Sequence, residues 1–236
     1  MNIIGIETAT ERLSAALITT DRCIFQRRED SRSAHCELLA KFITELTGEA
    51  GITLDAVEGI AVSVGPGSFT GLRIGIATAM GLAYGLGVKT CGVGTLEALA
   101  WNTGRREGLV CPLIDARRAE AYTAVFRMGA GRPETVLVPA AVPVASLAAL
   151  LSQFHEPVTL TGPAAMKFRP LLETADSPAL IFIPAEAAKP SAVAVAQLGM
   201  LVFEAGGGSG PVELQPVYLR RSDAELAKMK RSEFCG

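Results

Sequence analysis

The stretch NIIGIETATERLSAALITTDRCIFQ, residues 2–26, sets the architecture. Ile3, Ile4 and Ile6 form an apolar run that ends at Glu7-Thr8-Ala9-Thr10, which reads as a buried strand entering a small polar turn. Leu13–Ile18 and Cys23–Gln26 are two further strand candidates, with Thr20-Asp21 as the turn between them. Strands this closely spaced predict an antiparallel meander.

The pattern then changes period. Ser33 is placed to cap a helix from Ala34 to Leu46, with Leu38, Leu39, Phe42 and Leu46 on one face. Gly59–Val64 reads as a strand, the glycine loop 65–71 leads into a helix ending near Leu86, Val88–Val93 is a short strand, and Thr95–Trp101 a third helix. Residues 103–108 are polar and bounded by glycine, which predicts a break between two lobes. A second round follows. Leu109–Ile114 and Ala121–Phe126 are strands joined through Asp115–Glu120, and Thr135–Pro139 is a third. Ser146–Phe154 is a helix, Val158–Leu160 and Leu180–Ile183 are short strands, and Pro190 opens a helix to Ala205. The expectation is an α/β protein of mixed sheets with helices on their faces. Its lobes span 1–103 and 109–205, the second poorer in regular structure, with a cleft between them. Residues 206–236 form a glycine link, an extended segment at Pro216–Leu219 and a polar tail.

Composition narrows the function classes. Of 236 residues 49% are hydrophobic, and 19% are charged against ~25% in an average globular chain. That is enough apolar surface to offset the entropy of ordering, so disorder is excluded as the overall state. A formal charge of -2 argues against a protein that coats nucleic acid. Arg27, Arg28 and Arg32 form a small basic group that reads either as an RNA or acidic-partner contact or as a solvated loop. The five cysteines, Cys23, Cys36, Cys91, Cys111 and Cys235, contain no CxxC pair, and the two histidines, His35 and His155, form no HxxxH or HExxH pair. A disulfide framework and a His or Cys metal site therefore have no support. The glycine loop has no lysine, so it is not a Walker loop, and its last glycine falls one residue late for the dinucleotide pattern. The chain opens without a charged and then apolar leader, and the apolar stretch 71–88 is short for a membrane span and carries Arg73. A soluble cytoplasmic protein with no membrane partner is expected.

Two places bear candidate chemistry. The turn Glu7-Thr8-Ala9-Thr10 reads either as a phosphate cradle, through Thr8, Thr10 and its N–H groups, or as a plain polar hairpin. Asp115 ends the first strand of the second lobe in the same relative place. It either holds a hydrated Mg²⁺ beside a nucleotide or accepts N–H bonds from its own turn. A third feature is a stripe of small residues, Gly71, Gly75 and Ala79, bordered by Thr78 and Leu82. Mid-helix glycine costs roughly 0.5–1 kcal/mol relative to alanine, so the stripe implies a close approach by another backbone. Packing inside the lobe is one reading. A subunit surface shared with Leu38, Leu39 and Phe42 of the preceding helix is the added one.

Taken together, Ile6–Thr10, the run GPGSFTGLRIG at 65–75, Ile114-Asp115-Ala116-Arg117 and Pro216-Val217-Tyr218-Leu219-Arg220 closely resemble the TsaB (YeaZ) family over the whole chain. The resemblance implies the two-lobe fold of actin, Hsp70 and the sugar kinases, which is ribonuclease H-like. It implies a scaffold without catalytic activity of its own, which binds the related catalytic subunit TsaD. TsaD attaches threonylcarbamoyl to adenosine 37 of ANN-decoding tRNAs. A TsaE-like ATPase as a further partner, a homodimer when alone, and contact with tRNA only through the complex are implied as well. No cofactor is required, with Glu7, Thr8, Thr10 and Asp115 at most a vestigial ATP or ADP site. Glu7 stands where the family more often has Asp, and Ala116-Arg117-Arg118 stands where catalytic relatives carry a nucleotide loop. A nucleotide-dependent phosphotransferase is the alternative, and a metal-dependent peptidase a more remote one.

Overall fold

In the computed structural model, residues 1–21, 23–30, 35–173, 179–184 and 187–220 are described, with backbone alone at 35 and 36. The expected cap at Ser33, Arg32 of the basic group, Cys235 and the tail beyond Arg220 lie outside these residues, as do the side chains of His35 and Cys36.

The first sheet contains β1 (Ile3–Glu7), β2 (Leu13–Ile18), β3 (Ile24–Glu29), β4 (Gly59–Gly65) and β5 (Lys89–Gly94) in the order β3-β2-β1-β4-β5. The meander is antiparallel, with Ile3 opposite Ile18 and Glu7 opposite Ser14, and β1 pairs in parallel with β4. All five residues of β1 are buried, because it is central and covered on both faces. Ile4 and Ile6 point to one face, into a core built with α1 (His35–Glu49) and α2 (Phe69–Leu86). Ile3 points to the other face.

The second sheet repeats the first. It contains β6 (Leu109–Arg117), β7 (Glu120–Arg127), β8 (Glu134–Pro143), β9 (Val158–Thr161) and β10 (Leu180–Phe182), in the order β10-β9-β6-β7-β8. Read outward from β6, this is the same topology as that around β1, and both sheets have five strands. Leu109, Cys111 and Leu113 face α4 (Leu147–Ser152) and α5 (Ala165–Leu172). Val110 and Ile114 face the opposite way.

The last helix of each round crosses over. The helix following β5, α3 (Thr95–Trp101), sets Leu96, Leu99 and Ala100 against Val110, Ile114, Ala124 and Phe126 of the second sheet. The helix following β10, α6 (Ala192–Glu204), lies on the first sheet beside β1, β2, β4 and β5. Its approach is close. A Cβ on Gly5 would sit 2.7 Å from Ala196 Cβ, and one on Gly199 would strike Ala61. The expected lobe spanning 109–205 is therefore corrected: α6 follows the second sheet in the chain and belongs by packing to the first. The glycine stretch 206–210 is not a free link either, since Ser209 and Thr90 exchange backbone hydrogen bonds of 2.9 Å.

Ser68 caps α2 by accepting from Gly71 N at 3.2 Å, and Gly87 ends it at φ 67°. Among the described residues α2 is the one helix long and apolar enough to cross a membrane. Leu72, Ile76, Ala79 and Ala83 are nevertheless buried in this fold.

Candidate functional site

A cleft of about 1280 Å³ lies between the lobes. The first lobe lines it with the β1–β2 turn from Ala9 to Arg12, with Asp30, and with the loop and helix start from Pro66 to Gly71. The second lobe contributes Ile114–Arg117 and Lys167, and the chain segments at Lys189 and 217–220 complete the wall.

Of the four residues grouped from the sequence, only Thr10 and Asp115 reach the cleft. Glu7 and Thr8 are fully buried. Glu7 Oε1 accepts from Ala9 N at 2.6 Å, and Oε2 accepts from the Ser63 hydroxyl of β4. Burial pushes this carboxyl up to about 7 despite both bonds. Glu7 is thus a tie between two central strands and their turn. The Thr8 hydroxyl is buried without a hydrogen-bond partner.

Asp115 is 39% exposed. Its Oδ1 accepts from Arg117 N at 2.7 Å and its Oδ2 from Lys167 Nζ at 2.6 Å. Partial burial works to raise its pKa, but these two partners outweigh it and hold the carboxyl below its usual range. The turn it braces is strained. Arg117, Arg118 and Ala119 have φ of 63°, 51° and 59°, a left-handed run without glycine. A second cleft carboxylate, Asp30, takes Arg12 Nε at 2.6 Å and Lys189 Nζ at 3.2 Å, and Glu11 lines the cleft as well. The Arg12 guanidinium holds Asp30 well below the ordinary range. Of the four residues expected to form a nucleotide site, Glu7 and Thr8 lie in the core, and each oxygen of Asp115 accepts a hydrogen bond from a group of this chain.

The expected interface also divides. Leu39, Phe42 and Ala79 are buried in the first lobe's core, and Leu38 and Leu82 pack partly against it. Gly71 and Gly75 face the β1–β2 turn, where a Cβ on either would strike Thr8. The stripe therefore packs inside the lobe. Thr78, half-buried, bonds back to Ile74 O at 2.8 Å. The outer face of α2 carries Ala77, Gly81, Tyr84 and Gly85, with Tyr84 79% exposed and open space beside both glycines. In the basic group, Arg27 pairs with Glu45 and Glu49 of α1.

Sequence reading missed Arg12, Asp30, Lys167 and Lys189. Lys167 lies on α5, a helix of eight residues interrupted by Pro170, which the periodicity does not reveal. Arg12 and Asp30 are separated in the chain and meet only because β2 pairs with β3.

The family model for TsaD, tRNA N6-adenosine threonylcarbamoyltransferase, matches residues 28–193. The tRNA threonylcarbamoyladenosine biosynthesis protein TsaB of Bacillus subtilis (strain 168) is 31% identical over 162 residues, which are 69% of this chain and 71% of that one. The structure of YeaZ from Pseudomonas aeruginosa superposes with a TM-score of 0.78 at 26% identity, covering 92% of this chain and 99% of the other. A ROK hexokinase from Thermus thermophilus shares the fold alone, with a TM-score of 0.50 at 14% identity over 85% of this chain and 99% of its own. The doubled sheets with exchanged helices thus have the two-lobe sugar-kinase architecture, and the chain belongs to the TsaB (YeaZ) family of tRNA threonylcarbamoyladenosine biosynthesis proteins.

Proposed function

We propose that this protein is a non-catalytic subunit that binds and supports a TsaD-like subunit, which attaches threonylcarbamoyl to adenosine 37 of ANN-decoding tRNAs. The observation that carries the reading is that two of the cleft's carboxylates close on its own cations: Asp115 on Lys167, Asp30 on Arg12 and Lys189. A phosphotransferase needs a carboxylate free for a metal-bound phosphate, and Lys167 holds the one best placed. On this reading the chain needs no cofactor and binds ATP or ADP weakly at most. It meets tRNA through the complex in the cytoplasm, with a TsaE-like ATPase joining the assembly. The assembly surface is the outer face of α2 at Ala77, Gly81, Tyr84 and Gly85. A second copy occupies that face when the chain is alone.

The test is reconstitution with tRNA and threonylcarbamoyl-adenylate. The chain alone is expected to modify no tRNA, and adding it to the TsaD-like subunit is expected to raise modification. Tyr84→Arg is expected to remove that gain with circular dichroism unchanged. Turnover by the chain alone overturns the non-catalytic assignment, and full activity of the TsaD-like subunit without it overturns the support role.

A further inference from the structure

The stretch Pro216–Arg220 touches both lobes within five residues. The chain reaches it along the first sheet, where Ser209 pairs with Thr90 and Leu214 enters the core. Val217 N then donates to Val64 O of β4 at 2.6 Å. Gly65 provides the room. It lies at φ 116°, and a Cβ there would meet Val217 O at 2.5 Å. Tyr218 stacks on Phe69 at the start of α2, with ring centroids 4.9 Å apart and planes at 28°. Arg73 lies 3.9 Å over the Phe69 ring, and its Nε donates to the Tyr218 hydroxyl at 3.4 Å. Two residues on, Arg220 Nη1 crosses to the second lobe. It donates to Ala116 O at 2.9 Å and to Glu120 Oε2 at 3.1 Å, bracketing the strained turn between β6 and β7.

We propose that Pro216–Arg220 is a clasp that sets the opening of the cleft between the lobes. The lobes share one core at α3, and the clasp joins them again where its own residues wall the cleft. Its contacts include one backbone hydrogen bond, the Tyr218 ring stacked on Phe69 with its hydroxyl on Arg73, and two hydrogen bonds from Arg220 Nη1. Contacts of this kind at the rim of a cleft open locally without global unfolding. When the clasp is seated, the first lobe's loop 65–68 and the second lobe's turn 115–120 are held at a fixed separation. When it lifts, the turn loses its external brace and the lobes are free to spread about α3. This inference is independent of any role in tRNA modification.

The experiment is amide hydrogen exchange with small-angle scattering on the full chain, comparing Tyr218→Ala, Tyr218→Phe and Arg220→Gln with the parent. Tyr218→Ala removes the stack and the Arg73 hydrogen bond on the first lobe, weakening that anchor, and leaves the Arg220 bonds to the second lobe in place. It is expected to speed exchange at amides 116–120 of the second lobe about tenfold, the scale of one lost hydrogen bond, and to enlarge the radius of gyration. Tyr218→Phe keeps the stack and is expected to match the parent closely. Arg220→Gln cuts the other anchor and is expected to speed exchange at the Val217 amide. Unchanged exchange at 116–120 and unchanged scattering in Tyr218→Ala would make the segment a passive tail and overturn the clasp. If Tyr218→Ala loosens the β1 amides as well, Arg220→Gln decides alone. Spread lobes with protected β1 amides support the clasp, and an unchanged radius refutes it.

Discussion

The turn after β1 and the turn after β6 occupy equivalent places in two sheets of the same topology, and they treat their carboxylates in opposite ways. Glu7 points down between the central strands, fully buried, with Ala9 N and Ser63 as partners. Asp115 points out toward the cleft and takes a lysine. The turns differ in what lies over them. The first is pressed beneath α2, which brings Gly71 and Gly75 onto Thr8. The second has Arg117 and Arg118 exposed at its tip. A duplicated framework therefore does not produce a duplicated site. Local packing decides whether the same strand-end carboxylate becomes a core element or a surface one.

The most disruptive way to break this contrast is to push α2 off the first turn. Gly75→Leu places its Cβ against the Thr8 hydroxyl, with Thr8 Cβ 3.3 Å away. Overpacking at a backbone contact is expected to cost about 3 kcal/mol or to prevent folding. Gly81→Leu, on the open face of the same helix, meets nothing and is expected to raise stability by roughly 0.5–1 kcal/mol through helix propensity. Urea midpoints measure both. Equal midpoints would mean that α2 does not press on the turn, and the buried half of the comparison would fail.

Glu7 gives a sharper test through pH. Its pKa is raised from 4.5 unfolded to about 7 folded, so the native state binds the proton more tightly than the unfolded chain does. Its contribution to stability is full below pH 4.5, declines as pH rises to about 7, and is flat above that, a change of about 3 kcal/mol. Glu7→Gln should lack this decline. The readout is the difference between parent and variant in urea unfolding from pH 4.5 to 8, because other carboxylates titrate in both proteins. Parallel curves would show that Glu7 ionises as an ordinary exposed carboxylate.

Much of the frame was legible in the sequence, for physical reasons that also explain where legibility stopped. The apolar run at Ile3–Ile6 and the polar Thr20-Asp21 mark the meander, because strand burial and turn chemistry are local properties. Ser68 and the small residues after it mark α2, but not which neighbour they face. Gly71 and Gly75 look the same whether the approaching backbone is another subunit or, as here, residue 8 of the same chain. The exchange of α3 and α6 between sheets was hidden for a similar reason. Periodicity identifies a helix and its apolar face without saying which sheet receives it. Among the candidate site residues, Thr10 and Asp115 line the cleft. Glu7 does not, because a carboxyl at a strand end reads as polar and exposed until Ser63 is seen beside it.

The smallest expected effect concerns Asp115 and separates two roles that its carboxylate combines. Lys167 and Asp115 are 62% and 39% exposed, so their attraction is screened by water and salt. Asp115→Asn removes the charge but keeps an oxygen in reach of the Arg117 N–H. It is expected to change stability by less than about 0.5 kcal/mol. That small contribution is present above the ordinary carboxylate pKa and lost as pH falls through the lowered folded value. Asp115→Ala removes the acceptor too. It leaves the left-handed run at Arg117, Arg118 and Ala119 without its internal brace, and is expected to cost about 1 kcal/mol. The gap between Asn and Ala, read from urea midpoints at neutral pH, isolates the brace from the ion pair. If Asn costs as much as Ala, the charge is what matters, and Asp115 resembles Glu7 in holding its lobe together. If only Ala costs, Asp115 serves its own turn, and the two equivalent carboxylates have parted in role as well as in burial.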